Sequence, residues 1–151
     1  MKLGEALSRL KKDKSRLARL ILLRKENAYL EEGKKTKFNP NELSEEIDKK
    51  IEEIRKQKIK IQKTNLNNLI SGDNITLAEA IIKVNDLRSR ISHLSSLFEK
   101  KERYLFRDND KNMVAQLDEL EIEDEIEKLE IEKVQLDNKI QMTNWTTKLS
   151  D

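Results

Sequence analysis

The sequence predicts an all-α protein, an antiparallel up-down-up-down bundle of four long, coiled-coil-like helices. Apolar residues recur at spacings of three and four in four separate blocks, which is the period of a helix and not the alternation of a strand. Charged residues make up 40% of the 151 residues and aromatic residues only 4%, which is typical of long helices and too polar for a thick globular core. With three glycines and one proline, the chain has few positions that would interrupt these blocks.

The first two helices are predicted from an apolar stripe and from signals at their ends. The first covers about 3–32, and Gly33 provides a stop because glycine readily adopts the left-handed backbone that ends many helices. The second covers about 40–70. Asn39 is placed to cap its first turn, and Pro40 suits the first helical position because the N–H that proline lacks has no intrahelical partner there.

The third and fourth helices are predicted over about 77–103 and 113–147, on either side of a break near 105–112. Thr76 and Glu79 have the spacing of a capping box, which marks the start of the third helix. Because short links join all four helices, we expect one domain over 1–151.

Opposite charges accumulate at the two ends of the sequence. Residues 1–38 contain 12 basic and 5 acidic side chains, whereas residues 105–151 contain 6 basic and 13 acidic ones. In an antiparallel bundle the first and last helices are neighbours, so these charges are predicted to face each other within the chain, or to join two chains. Since the core is thin, we expect self-association or association with another helical protein.

Residues suited to catalysis or metal binding are scarce. His93 is the only histidine and lies off the apolar stripe of the third helix, so we expect it in solvent. A carboxylate-bridged di-iron site needs a second histidine, and thiolate metal sites or disulfides need cysteine, which the chain lacks. We therefore expect a non-enzymatic protein without catalytic residues, metal or cofactor.

Nucleic-acid or phosphate binding is the alternative function, because two predicted loops combine cationic and aromatic residues. An up-down path places both loops at the same end of the bundle. Cations next to aromatic rings suit phosphate contact together with base stacking. The candidate residues are Lys34, Lys35 and Lys37 in the first loop and Arg103, Tyr104 and Arg107 in the second.

Membrane association is a third and weaker interpretation. The first helix is basic and amphipathic, as interfacial helices are, but its leucines are needed in the core. The longest aliphatic run, residues 20–23, is far shorter than the roughly 20 residues of a membrane span. Residues 1–20 carry charge throughout, unlike a secretory signal, so we expect a cytoplasmic protein with no transmembrane segment.

The only tryptophan, Trp145, lies near the end of the fourth helix. Steps of three and four residues lead from it to Met142, Asn138, Val134 and Ile131, so the indole continues an apolar row. We predict that it closes the open end of the bundle and anchors the terminus. A polar cluster is predicted at the same end, formed by Asn65, Thr76, Asn144 and Trp145.

Several stretches of the chain carry a family resemblance. They are MKLGEAL at 1–7, KTN at 63–65, TLAEA at 76–80, DLRSRIS at 86–92, RY at 103–104 and NWTT at 144–147. In these stretches the chain resembles the septicolysin-like family of small bacterial proteins. The resemblance implies a helical bacterial protein with no established activity. The family name suggests cytolysis, but the sequence shows neither an export signal nor a pore-forming segment.

Overall fold

The computed structural model describes residues 1–99 and 114–150. Within these two ranges the chain forms four helices, α1 (Leu3–Glu26), α2 (Pro40–Asn67), α3 (Leu77–Ser95) and α4 (Glu119–Thr146). The described ranges contain no β-strand, only two isolated bridges. The predicted fold class, an all-α antiparallel helical bundle, is confirmed.

The described residues form two compact units. Unit 1 contains Met1–Asn68 together with residues 143–150, and unit 2 contains the described part of Leu69–Met142. Unit 1 is a helical hairpin of α1 and α2 that includes the two chain ends, and unit 2 is a hairpin of α3 and most of α4. The prediction of a single domain over 1–151 stays a prediction.

In unit 1, α1 and α2 pack antiparallel along one seam. Arg16 forms an ion pair with Glu46 at 2.9 Å, and Gln57 donates a hydrogen bond to the carbonyl oxygen of Ala6 at 2.8 Å. The seam residues are buried or half-buried and alternate at spacings of three and four. They are Leu3, Ala6, Leu10, Asp13, Leu17 and Leu20 of α1, and Leu43, Ile47, Lys50, Ile54, Gln57, Ile61 and Thr64 of α2. This repeat keeps each seam facing its partner along the whole hairpin.

One ion pair lies inside this seam. The side chains of Asp13 and Lys50 are only 17% and 13% exposed, and their charged atoms are 3.3 Å apart. Lys50 also donates a hydrogen bond to Glu53, which is the main cause that raises the pKa of Lys50. Opposite charges in an apolar seam fix its register, because a slip by one turn would leave each charge without its partner.

In unit 2, α3 packs antiparallel to α4. Buried residues again recur at helical spacings, three and four residues apart in α3 and seven and four residues apart in α4. They are Leu77, Ala80, Val84 and Leu87 of α3, and Leu129, Leu136 and Ile140 of α4. Ion pairs flank this seam. They are Lys83 with Glu132 at 3.0 Å, Arg88 with Asp137 at 3.4 Å, and Arg90 with Glu125 at 2.5 Å. Three ion pairs therefore join α3 to α4 along the hairpin.

Three helices end earlier than predicted, and the fourth begins later than predicted. The first helix ends at Glu26 and not near 32, because the Asn27 side chain donates to the Leu23 carbonyl oxygen at 2.8 Å and ends the helix there. Gly33 has a φ of +85°, but it lies in the link to α2 and not at the helix end. The second helix ends at Asn67, three residues before the predicted 70, and its C-cap Asn68 is extended.

The third helix ends at Ser95, well before the predicted 103. The fourth begins at Glu119 and not at 113, because the Asp118 carboxylate accepts hydrogen bonds from the backbone N–H groups of Leu120 and Glu121. At the end of α1 and the start of α4, caps set by single side chains thus shorten the helices relative to their apolar periodicity.

The predicted N-terminal caps of α2 and α3 are confirmed. The Asn39 side chain accepts a hydrogen bond from the N–H of Asn41 at 2.9 Å. Thr76 and Glu79 form a reciprocal capping box, in which Glu79 accepts from the Thr76 N–H at 2.7 Å and Thr76 accepts from the Glu79 N–H at 3.2 Å. The backbone hydrogen bond from Thr76, and then that from its hydroxyl, lower the pKa of the Glu79 carboxyl.

This cap predicts that Glu79→Gln removes part of the acid sensitivity of the fold. Because the pKa of Glu79 is lower in the folded state, its carboxylate stabilises the fold fully above the unfolded-state pKa and progressively less as pH falls through the folded-state pKa. Between about pH 7 and about pH 3, the melting temperature of the wild type should fall more than that of the variant.

The matched control for this experiment is Glu127→Gln, which alters an exposed carboxylate that forms no ion pair within residues 1–99 and 114–150. It should follow the wild type. Parallel melting curves for the wild type and Glu79→Gln across this pH range would contradict the prediction.

Candidate interaction surface

A groove of about 940 Å³ runs along α1 in unit 1. Its rim is basic and consists of Lys11, Lys12, Arg16 and Arg19. Leu20, Leu22 and Leu23 form its apolar part, and Glu26 and Glu46 are its acidic residues. We call this surface the α1 groove.

The helical period of α1 explains why basic and apolar residues share this groove. Lys12, Ser15, Arg19 and Leu22 follow one another at spacings of three, four and three, which places them on one face. Leu20 belongs to the adjacent seam, where it packs in a buried cluster with residues of α2. Leu22, by contrast, is more than half exposed. The groove therefore lies beside the seam and opens to solvent.

Most of the positive charge of the α1 groove is not neutralised. α1 carries eight basic and three acidic residues. Arg16 pairs with Glu46, whereas Lys11, Lys12 and Arg19 form no ion pair with any residue that the structure describes. At these three residues, the predicted pairing between the basic and acidic ends of the sequence is not seen within residues 1–99 and 114–150.

The outer face of α4 in unit 2 has the opposite charge. α4 carries nine acidic and three basic residues, and three of the acids form ion pairs with α3. Glu123, Glu127 and Glu130 are exposed and form no ion pair in the described part of the chain. The exposed apolar side chains of Leu120, Ile131 and Val134 lie on the same face. We call these six residues the α4 row.

The apolar row that was predicted to end at Trp145 is not buried. Ile131, Val134, Asn138 and Met142 are exposed, and the indole itself is 56% exposed. A helix of this composition has two apolar rows, and the row that faces the hairpin partner is the one on the opposite side, which contains Leu129, Leu136 and Ile140. Sequence periodicity alone does not distinguish these two rows.

Trp145 instead covers the first turn of α1 within unit 1. Its ring lies so close to Gly4 that a Cβ atom at this position would be 2.8 Å from Cδ2 and 2.9 Å from Cε3. Only glycine permits this approach. The indole thus contacts the N-terminal turn by lying over backbone, and this explains why so much of its surface stays exposed.

Backbone hydrogen bonds hold the two chain ends together in unit 1. The N–H of Leu3 donates to the Thr147 carbonyl oxygen and the N–H of Leu149 donates to that of Met1, both at 3.0 Å. The Lys2 ammonium donates to the Thr146 carbonyl oxygen at 2.6 Å. These contacts support the prediction that the region around Trp145 anchors the terminus.

The predicted polar cluster is divided between the units. Asn65 and Asn144 are buried in unit 1, whereas Thr76 lies in unit 2 and caps α3. Thr64 is also buried and accepts a hydrogen bond from the Ser150 N–H at 2.9 Å. No buried side-chain nitrogen or oxygen of the described residues is left without a hydrogen bond. These buried polar residues therefore serve the packing of helix ends.

An internal repeat explains where these polar residues occur. LGEAL at 3–7 corresponds to LAEAI at 77–81, and QKTNL at 62–66 corresponds to QMTNW at 141–145. Corresponding residues have the same local structure. Leu3 and Leu77 are both fully buried, Thr64 and Thr143 are both buried, and Glu5 and Glu79 each accept the backbone N–H three residues earlier at 2.7 Å. Helical periodicity did not reveal this repeat, but aligning the two halves of the sequence would have.

The predicted anion or nucleic-acid site is only partly within the described residues. Lys34, Lys35 and Lys37 are exposed in the link between α1 and α2. Lys34 pairs with Glu31, and the Lys37 ammonium is 5.9 Å from the ring centroid of Phe38. Arg103, Tyr104 and Arg107 lie outside the described residues. This site stays a prediction. His93 is exposed on α3, as expected.

Neither a metal cluster nor a membrane span is found where the structure is described. Residues 1–99 and 114–150 contain no group of three metal-ligating side chains that could hold an ion. Within the same ranges, no helix combines the length and the apolar character needed to cross a membrane.

The fold and the surface are those of a highly charged protein built from helical hairpins. The chain belongs to DUF6847, a family of unknown function that it matches over residues 10–149. It is also similar to a solved structure described as a functionally unknown conserved protein from Corynebacterium diphtheriae. The two share 28% identity with a TM-score of 0.90, over 99% of each chain.

No curated protein matches the chain. These findings show a helical family of unknown function. The narrower resemblance to septicolysin-like proteins rests on the stretches quoted above alone.

Proposed function

We propose that the protein is a non-enzymatic helical interaction module that associates with itself. The observation that carries this proposal is the exposure of large apolar side chains on outer helix faces, with Leu120 72% and Ile131 52% exposed. Exposed apolar side chains that share one helix face form a surface that a second amphipathic helix can cover.

The arrangement of the hairpins supports side-by-side association of a coiled-coil type. The buried seam residues already follow a seven-residue repeat within each unit. The α4 row adds a second strip at the same spacing on the opposite side of α4. A helix with two such strips packs against one partner inside its hairpin and leaves the other strip for a further helix.

The perturbed titratable groups support a structural role. The raised pKa of Lys50 arises mainly from its hydrogen bond to Glu53, and the lowered pKa of Glu79 arises mainly from the backbone of Thr76. Both groups stabilise helices, one within a seam and one at a helix cap. The proposed location is the cytoplasm, because a chain without cysteine suits a reducing compartment.

Self-association is tested by sedimentation equilibrium from about 5 to about 500 µM, because mass action then shifts the population toward the associated state. We expect the mean mass to exceed that of one chain at the upper end of this range. Ile131→Ser combined with Val134→Ser should weaken association by about tenfold or more, because two exposed apolar side chains would no longer be covered.

The control variant is Ile59→Ser, which removes an apolar side chain of similar exposure from α2. It should associate like the wild type. A protein that sediments as a single chain throughout this concentration range would contradict the proposal.

A further inference from the structure

We infer that the α1 groove of one copy binds the α4 row of a second copy. This inference rests on the proposed self-association and names the two surfaces that meet. The occupant of the groove is thus an acidic helix with exposed apolar residues, supplied by an identical chain.

Charge is the first argument. Lys12 and Arg19 lack an acidic partner among the described residues, and Glu123 and Glu130 lack a basic one. Both pairs lie on exposed helix faces, where unneutralised like charges repel unless an opposite surface approaches. A basic groove and an acidic row on the same chain are complementary in sign, and each copy carries both.

Spacing is the second argument. Lys12 and Arg19 are seven residues apart, as are Glu123 and Glu130, which corresponds to about 10.5 Å along a helix in both cases. When the two helices are antiparallel, Lys12 lies opposite Glu130 and Arg19 lies opposite Glu123. Both ion pairs therefore form in a single register.

One pair of apolar residues fits the same register. Leu22 follows Arg19 by three residues, and Leu120 precedes Glu123 by three residues. The antiparallel alignment therefore places these two exposed leucines opposite each other. Leu22 lies in the apolar part of the α1 groove, so the contact buries apolar surface in addition to pairing charges.

Two charge-reversal variants test this inference. The first, with Lys12→Glu and Arg19→Glu, makes the groove acidic, and the second, with Glu123→Lys and Glu130→Lys, makes the row basic. Each variant alone should associate at least about tenfold more weakly than the wild type, because its groove and row then carry like charges. An equimolar mixture should recover association, because each variant offers the surface that the other lacks.

The control for the first variant combines Lys58→Glu with Lys63→Glu, which makes the same change in net charge as that variant but on exposed residues of α2. Circular dichroism verifies that all variants remain helical. To measure the recovery of association, one charge-reversed variant is labelled with a fluorophore, mixed with the other, unlabelled variant, and followed by sedimentation. The control should associate like the wild type.

The outcomes separate this inference from the proposed function. If the wild type associates and the reversed variants associate equally well, self-association stands and the groove is not its surface. If neither charge-reversed variant associates and their equimolar mixture does not associate either, the α1 groove does not bind the α4 row. If the wild type itself remains a single chain, both proposals are overturned.

Discussion

Replacing Leu3 by alanine is expected to lower the free energy of unfolding by about 2–5 kcal/mol. The Leu3 side chain is fully buried in the first turn of α1. Its backbone N–H is held by the Thr147 carbonyl oxygen, so the turn cannot easily shift to fill the space that the lost methyl groups leave. Urea unfolding measures this loss, with the helix content followed by circular dichroism at about 222 nm.

Leu7→Ala is the control, since it makes the same change one turn further along α1. The Leu7 side chain is 37% exposed, so the expected loss is below about 1 kcal/mol. Equal losses at the two positions would show that burial at the N-terminal turn does not determine the stability of unit 1.

Replacing Gly4 by leucine is expected to destabilise the fold by about 1–3 kcal/mol. The Cβ atom of any side chain at position 4 would clash with the six-membered ring of Trp145. The ring cannot move away without losing its contact with α1. The higher helix propensity of leucine offsets only about 1 kcal/mol of this cost. Because Trp145 is the only tryptophan, its fluorescence reports displacement of the ring directly.

Ala18→Leu is the matched control, because it adds a leucine side chain at an exposed position in the middle of α1. It should leave both stability and fluorescence nearly unchanged. Trp145→Ala should restore part of the stability lost in Gly4→Leu. A double variant that loses the sum of both single effects would argue against a direct clash.

Much of the fold could be predicted from sequence because the helices are built on a regular apolar repeat. The four blocks predicted four helices, and Asn39 and Thr76 predicted two helix starts, since a capping side chain acts on backbone only a few residues away. Helix ends were less predictable. Asn27 ends α1 before Gly33 is reached, and no feature of the apolar stripe marks that residue.

The candidate surface could not be predicted because it depends on which face of a helix is covered. Leu129 and Ile131 are both apolar and only two residues apart, yet one is buried and the other is exposed. The charges of Lys12 and Arg19 were visible in the sequence, but their lack of a partner among the described residues was not. Burial depends on contacts between elements, which a single repeat does not encode.

The ion pair of Asp13 and Lys50 has a consequence for which helices can share a hairpin. A foreign helix laid against α1 would remove the Lys50 ammonium and leave the Asp13 carboxylate only its longer contact with Arg9 of α1, at 3.8 Å. Burying a carboxylate with its main cation removed is costly, so most such helices are rejected. A helix α2 donated by an identical chain brings its own Lys50 to the same level and satisfies that carboxylate fully. The ion pair thus disfavours pairing of α1 with unrelated helices and with helices in the wrong register. It does not disfavour the exchange of α2 between two identical chains.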